Sequence, residues 1–206
     1  VASLQGIYAI VNDGEHAVAL TRAYLDGGVA LVQYRAKHGI HGERLRALRE
    51  MTRARDALLI VNDDWRAAME YACDGVHLGP GDDGFDDPQR IRDETRTLVI
   101  GLSCGTVEEA RAATPGVVDY IGVGPVYATG SKADAGEPIG IAGLKTVAAA
   151  TRLPVTAIGG ITLGNVDAVR ASGVAMASII SALAEAPDPQ AAAHMFCVRW
   201  HDTGQI

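Results

Sequence analysis

The 206-residue sequence predicts a single-domain α/β fold, a (β/α)₈ TIM barrel whose active site lies at the C-terminal ends of the strands. Three observations point there. Short β-branched apolar runs alternate with segments of helical period, and the beat repeats eight times. Apolar residues make up 48% of the chain but aromatic residues only 5%, so Ala, Val, Ile and Gly must fill the core, as suits close-packed parallel strands and helices more than a β-sandwich. No proline- or serine-rich linker divides residues 1–206, so one core is expected.

The first unit joins an apolar run at 6–11 to a helical segment at 16–26, and the second joins 30–34 to 42–55. A third pairs 58–61 with 65–72, where Asp64 stands in the capping position before Trp65. The fourth is 75–78 with 88–94, and the fifth is 97–102 with 107–114. In the sixth, the run at 120–123 is followed by a long connection and then a helix at 141–151. The seventh pairs 154–158 with 163–172, and the eighth leads from 174–180 to a last helix at 189–200. An open doubly wound sheet is the competing arrangement. It requires a nucleotide fingerprint at its first turn, and Val11-Asn12-Asp13-Gly14 contains no GxGxxG, so the barrel is preferred.

The net charge of −7 is spread along the chain without an acidic or basic block. That gives no footprint for a nucleic acid or an anionic membrane surface, so any anion must be met locally. No run of about 18 apolar residues and no basic-then-apolar leader is present, and a soluble, cytoplasmic protein is expected. Cys73, Cys104 and Cys197 lie far apart and in no CxxC spacing, which suggests neither a disulfide framework nor a zinc site.

Against this background two of the three lysines stand out, because Lys37 and Lys132 each follow an apolar strand run while arginine supplies most other positive charge. Lysine's compact ammonium suits a phosphate. Gln33, Arg35 and Lys37 are spaced by two, so their side chains share one side of the chain and can converge on a phosphate or a neighbouring helix. The third and fourth runs end in Asn62-Asp63-Asp64 and in His77-Leu78-Gly79-Pro80-Gly81-Asp82. Carboxylates from adjacent strand ends, beside cations that hold phosphates, suit magnesium bridging protein and polyphosphate; loop solvation and capping are the plainer roles for the same acids. His77 reads as a barrel-wall residue with satisfied ring nitrogens. Ser103 ends the fifth run, and Thr129, Ser131 and Lys132 follow the sixth. Gly159-Gly160 and Ile180-Ser181 end the seventh and eighth, where many barrels turn backbone amides toward a phosphate, although a glycine pair also serves packing alone. Two anion sites across one mouth are expected, one metal-assisted and one metal-free.

Five segments, Gln33-Tyr34-Arg35-Ala36-Lys37, Val61-Asn62-Asp63-Asp64, Asp74-Gly75-Val76-His77-Leu78-Gly79, Gly124-Pro125-Val126-Tyr127-Ala128-Thr129 and Ala157-Ile158-Gly159-Gly160-Ile161, together resemble the thiamine-phosphate synthase family, in order and over nearly the whole chain. The resemblance implies a (β/α)₈ enzyme that joins 4-amino-2-methyl-5-(diphosphooxymethyl)pyrimidine to a thiazole phosphate and releases pyrophosphate, with magnesium as cofactor. Carried over by motif, it implies that Gln33 to Lys37, Asn62, Ser103 and Lys132 bind the pyrimidine diphosphate. It gives Asp63 and Asp82 to magnesium, and Thr129, Gly130, Ser131, Gly160, Ile180 and Ser181 to the thiazole phosphate. Arg35, Lys37 and Lys132 would be the catalytic cations in a dissociative reaction through a pyrimidine methyl cation. The expected partners are these small phosphorylated molecules, with a homo-oligomer left open.

Three places depart from the family pattern. Pro80-Gly81 replaces a glutamine-acidic pair before the metal aspartate, Ser131 stands for threonine, and Ala175-Met176 replaces Asp-Gly at the eighth strand. A thiazole tautomerase-like subfamily shares the fold but uses a histidine shortly after the Ser103 strand, where this chain has Cys104-Gly105. A non-catalytic, phosphate-binding regulatory barrel is the other alternative, and it would not need intact lysine and metal motifs. The segment 133–138, long for a βα connection and rich in small residues, is expected to act as a lid.

Overall fold

A computed structural model describes residues 3–131 and 136–202. Lys132 and residues 133–135 of the expected lid lie outside the described residues.

Eight parallel strands close into a barrel in sequence order: β1 (Gly6–Asn12), β2 (Leu31–Arg35), β3 (Leu58–Asn62), β4 (Gly75–Leu78), β5 (Val99–Ser103), β6 (Tyr120–Val123), β7 (Val155–Ile158) and β8 (Met176–Ile179). Gly6 pairs with Met176, which seals β1 to β8. The helices between them are α1 (Ala17–Asp26), α2 (Gly42–Arg53), α3 (Trp65–Glu70), α4 (Pro88–Thr95), α5 (Val107–Ala112), α6 (Gly140–Ala148) and α7 (Val166–Arg170). After β8 come a four-residue helix α8 (Ser181–Ala184) and α9 (Pro189–His201).

The eight βα units are where the sequence places them, with two instructive differences. First, β1, β2, β3 and β5 run one residue further and take in Asn12, Arg35, Asn62 and Ser103. Ladder pairing continues past the apolar run, as Asn12 pairs with Arg35, Asn62 with His77 and Ser103 with Gly122. Polar residues expected just beyond the strands therefore sit on them, which holds them more rigidly than a loop does. Second, α8 interrupts the last connection, a turn too short to leave a periodic signature.

Start signals behave as their chemistry dictates. Asp64 accepts from the Ala67 amide at 2.9 Å at the head of α3, and Thr106 and Glu109 form a reciprocal capping box on α5. Alternation along the strands divides the core in two. Outward residues such as Val32, Tyr34, Leu59, Val61 and Ile179 pack against the helices. Inward residues Tyr8, Leu31, Ile60, Tyr120 and Met176 form a separate plug inside the barrel. Gly101 gives that plug its space, since a Cβ there would lie 2.1 Å from the Tyr120 ring. No helix of the described residues is long and apolar enough to cross a membrane.

Candidate active site

Above the plug, at the C-terminal rim, two cavities of about 330 and 420 Å³ open side by side. They share one wall made by Pro80, Ser103, Gly122, Ile158, Ser178 and Ile180. The first is the polar lobe. Gln33, Arg35 and Lys37 all line it, so the spacing by two in β2 delivers three donors to one place. Gln33 is the deepest, with 3% of its surface exposed, and its Nε2 donates to the Tyr8 hydroxyl at 2.8 Å. Arg35 Nη1 donates to Asn12 Oδ1 at 3.3 Å, across the last rung of the β1–β2 ladder.

Asn62, Asp63 and Asp82 line the same lobe. Asp63 adopts a left-handed backbone with φ 69°, a conformation in which Asp is one of the few tolerated side chains, and its amide is held by the His77 carbonyl at 2.8 Å. Strain of this kind persists where surrounding structure enforces it, and it concentrates at functional sites. Asp82 curls back over its own loop, and its Oδ2 accepts from the Gly79 amide at 2.6 Å. The Pro80-Gly81 departure thus leaves Asp82 lining the lobe that Asp63 lines. Among the described residues no cluster of three or more His, Cys, Asp or Glu is close enough to hold a metal alone. Two carboxylates beside cationic donors nevertheless fit magnesium, which binds through one or two carboxylates and completes its shell with water and substrate phosphates.

The second lobe takes Thr129, Ser131, Gly160, Ile180 and Ser181, and it also reaches Ser103 through the shared wall. Thr129 Oγ1 accepts from the Ser131 backbone amide at 3.2 Å, which folds the start of this loop back on itself. Gly130 lines neither lobe. The glycine pair after β7 has a packing reason of its own. Gly159 and Gly160 have φ of 104° and 62°, and a Cβ on Gly160 would sit 2.4 Å from the Ala128 carbonyl oxygen. Only glycine lets the β6 and β7 loops approach this closely, and both residues still border the cavity. Asn165 Nδ2 fixes the turn by donating to the Gly160 carbonyl at 3.0 Å.

His77 sits in the barrel wall with both ring nitrogens engaged, Nδ1 at 3.0 Å from the Tyr120 hydroxyl and Nε2 at 3.1 Å from Ser103 Oγ. Cys104 is 4% exposed, and burial pushes its thiol up to about 11, which leaves it no thiolate for nucleophilic work near neutrality. Tyr8, Thr156 and Ser178 also line the polar lobe, and sequence reasoning did not single them out. Tyr120 lies beneath them. The available signal was the strand period: each is inward-facing, two residues below a rim position or a rim glycine.

A family model described as thiamine monophosphate synthase matches residues 7–183. A thiamine-phosphate synthase of Geobacillus kaustophilus is 41% identical over 189 residues, covering 88% of this chain and 84% of the relative. One from Moorella thermoacetica is 40% identical, covering 89% and 88%. The structure of a thiamine phosphate pyrophosphorylase from Pyrococcus furiosus superposes with a TM-score of 0.87 at 32% identity, over 98% of each chain.

Proposed function

The chain belongs to the thiamine-phosphate synthase family, and we propose that it makes thiamine phosphate by drawing a diphosphate off a pyrimidine in the polar lobe, next to a thiazole phosphate held in the second. The shared wall carries this reading. Two phosphorylated substrates seated in lobes that share Gly122, Ile158 and Ser178 would have their reacting ends side by side. Proximity of this kind converts a bimolecular step into one within a single complex.

Within the polar lobe, Arg35 and Lys37 hold the diphosphate, and Lys132, assigned from its place in the sequence alone, is the third cation of this reading. Gln33, Asn62 and Ser103 orient the pyrimidine ring and the oxygens beside it. Asp63 and Asp82 would hold magnesium, which supplies positive charge to the leaving diphosphate. As the carbon–oxygen bond breaks, negative charge grows on that diphosphate, and preorganised cations stabilise it more than they stabilise the bound substrate. The resonance-stabilised pyrimidine methyl cation left behind is captured by the thiazole nitrogen across the shared wall. Thr129, Gly130, Ser131, Gly160, Ile180 and Ser181 anchor the thiazole phosphate. No strong general base is required, and among the described residues no hydrogen-bonded Ser-His-Asp triad or Cys-His pair is present at the site. A cytoplasmic location accompanies this reading.

Purified protein supplied with magnesium and both substrates should release thiamine phosphate and pyrophosphate in equal amounts, and omission of either substrate should abolish both. Binding of one phosphorylated compound without turnover would instead favour a regulatory barrel.

A further inference from the structure

Of the residues that make the wall between the two lobes, Gly122 is the one that brings no side chain to it. It lies inside β6, paired with Ser103 of β5 on one side and with Thr156 of β7 on the other. A side chain there would point inward, since its first carbon would come nearest to His77 and Thr156, which line the polar lobe. Tyr120, two residues earlier on the same strand, belongs to the plug beneath, so Gly122 stands where the plug ends and the cavities begin.

Neighbouring barrel glycines are required by the fold itself. A Cβ on Gly75 would lie 2.6 Å from the Val99 carbonyl oxygen, and one on Gly124 would lie 2.1 Å from the Ile158 carbonyl oxygen, contacts that only a backbone shift could relieve. Gly122 is different. A Cβ there would find side-chain atoms nearest to it, His77 Cε1 at 3.1 Å and Nε2 at 3.4 Å and Thr156 Cγ2 at 3.7 Å, so the imidazole need yield only a few tenths of an ångström. Its φ is not among the positive ones, and an ordinary L residue suits its backbone. Glycine inside a strand loses backbone entropy on folding and packs against nothing, so alanine would serve this strand better. The space above Gly122 therefore belongs to the cavities and not to the core.

We propose that Gly122 is the aperture between the lobes: its bare backbone leaves the opening through which the thiazole nitrogen reaches the carbon that loses the diphosphate. Pro80, Ser103, Ile158, Ser178 and Ile180 carry side chains in the rest of that wall. Gly122 is a positioning residue, acting by the room it leaves. The inference rests on reading the two lobes as the two substrate sites. A methyl group at this place narrows the opening, while Arg35, Lys37, Thr129 and Ser131 are not among the atoms nearest to it, so each substrate keeps its anchors. The pyrimidine methyl cation then meets water in place of the thiazole. Diphosphate departs with the electron pair of the carbon–oxygen bond, a water oxygen supplies the pair for the new carbon–oxygen bond, and the proton of that water goes to solvent. Hydroxymethylpyrimidine forms instead of thiamine phosphate.

The test is Gly122→Ala, supplied with magnesium and both substrates, with hydroxymethylpyrimidine and thiamine phosphate separated by chromatography and their ratio compared with that of the wild type. The variant should raise this ratio roughly 10²-fold, the scale on which a misplacement of about 1 Å between reacting groups acts. Its kcat for thiamine phosphate should fall while KM for each substrate stays near the wild-type value. Calorimetry with magnesium pyrophosphate, and separately with thiazole phosphate, should give wild-type affinities, and the thermal transition should remain cooperative. A glycine needed only for packing would not produce this split between intact binding and redirected product. An unchanged ratio in the folded variant would overturn the aperture, as would loss of either ligand or of the cooperative transition, because Gly122 would then serve ionisation, one lobe or the fold. A wild-type protein that makes no thiamine phosphate would sink the reading of the lobes, a result that the product ratio of the variant cannot imitate.

Discussion

The Asp83 carboxylate accepts a hydrogen bond from the Trp65 indole at 3.0 Å, which ties the loop that carries Asp82 to the helix that follows Asp63. Arg66 and Arg90 complete the tie, Arg90 at 2.5 Å, and both guanidiniums lie over the Trp65 ring. Hydrogen bonds from Arg66, Trp65 and Arg90 hold the Asp83 carboxyl well below the usual carboxylate range. Asp83 adjoins one proposed metal ligand in the chain, and Trp65 lies two residues past the other. Asp83→Ala should therefore raise the magnesium concentration for half-maximal rate roughly tenfold, as loss of an outer-shell partner does, with less effect on the rate at saturating metal. Magnesium titration of initial rates, and calorimetry with the metal alone, check this; an unchanged metal requirement would leave the tie a purely local contact.

Lys37→Ala and Lys132→Ala should each lower kcat on the order of 10²-fold, because each removes a fixed positive charge from the departing diphosphate. The melting transition should persist in both, since neither substitution removes an apolar core side chain. For Lys132 the expectation stands on its place in Thr129-Gly130-Ser131-Lys132. Single-turnover kinetics separate this loss from weaker binding. Wild-type turnover in either variant would count against the assignment of that lysine.

The barrel was legible because its signals are local and repeated. Alternation in Gln33, Arg35 and Lys37 was enough to place three donors in one lobe, and the Asp64 cap followed from residue type at a helix start. Two kinds of feature escaped. Tyr8 and Tyr120 belong to strands 112 residues apart in sequence, and their hydroxyls meet only when the sheet closes, which no local pattern records. The Gly159-Gly160 pair left packing and phosphate approach equally open. The β6-loop atoms give both glycines a packing reason, and both also line the cavity, so the two roles are compatible.

A repeated clip below the strands explains one departure from the family pattern. Asp74 precedes β4, and its Oδ2 accepts from the Leu59 amide at 2.8 Å and from Arg49 at 2.9 Å. Asp119 precedes β6, and its Oδ2 accepts from the Ile100 amide at 2.8 Å and from Arg92 at 2.5 Å. Before β8 the same place holds Ala175, whose amide donates to the Val155 carbonyl at 3.0 Å just as Asp74 does to Leu59 and Asp119 to Ile100. Asp119→Ala should cost about 1–3 kcal/mol, since it strips a partner from a strand amide and from a half-buried guanidinium. Ala175→Asp should restore the missing clip and add about 1 kcal/mol, which raises Tm by roughly 2–4 °C. Thermal melts read both, and neither should change KM, because the clips lie at the end of the barrel opposite the site.

Alkaline pH should destabilise the fold through groups that folding keeps protonated. Burial pushes the Cys73 thiol from its ordinary 9.0 up to about 12, and the Cys104 and Cys197 thiols up to about 11. Burial, and then the hydrogen bond to Asp13, push the Tyr34 hydroxyl from 10.0 up to about 12. In the unfolded chain these groups release protons at their ordinary values, so between about pH 9 and 12 the native state binds more protons than the unfolded state. Stability therefore falls as pH rises through that window, while below it both states are protonated and these groups make their full contribution. Urea unfolding from pH 7 to 11 should give a level stability up to about pH 9 and a decline above it. The same burial predicts that a thiol reagent labels the native protein far more slowly at pH 8 than the protein in urea, because the thiolate is both scarce and covered. Level stability to pH 11, or prompt labelling of the native protein, would mean that these thiols and this phenol are more open to water than their packing against the helices implies.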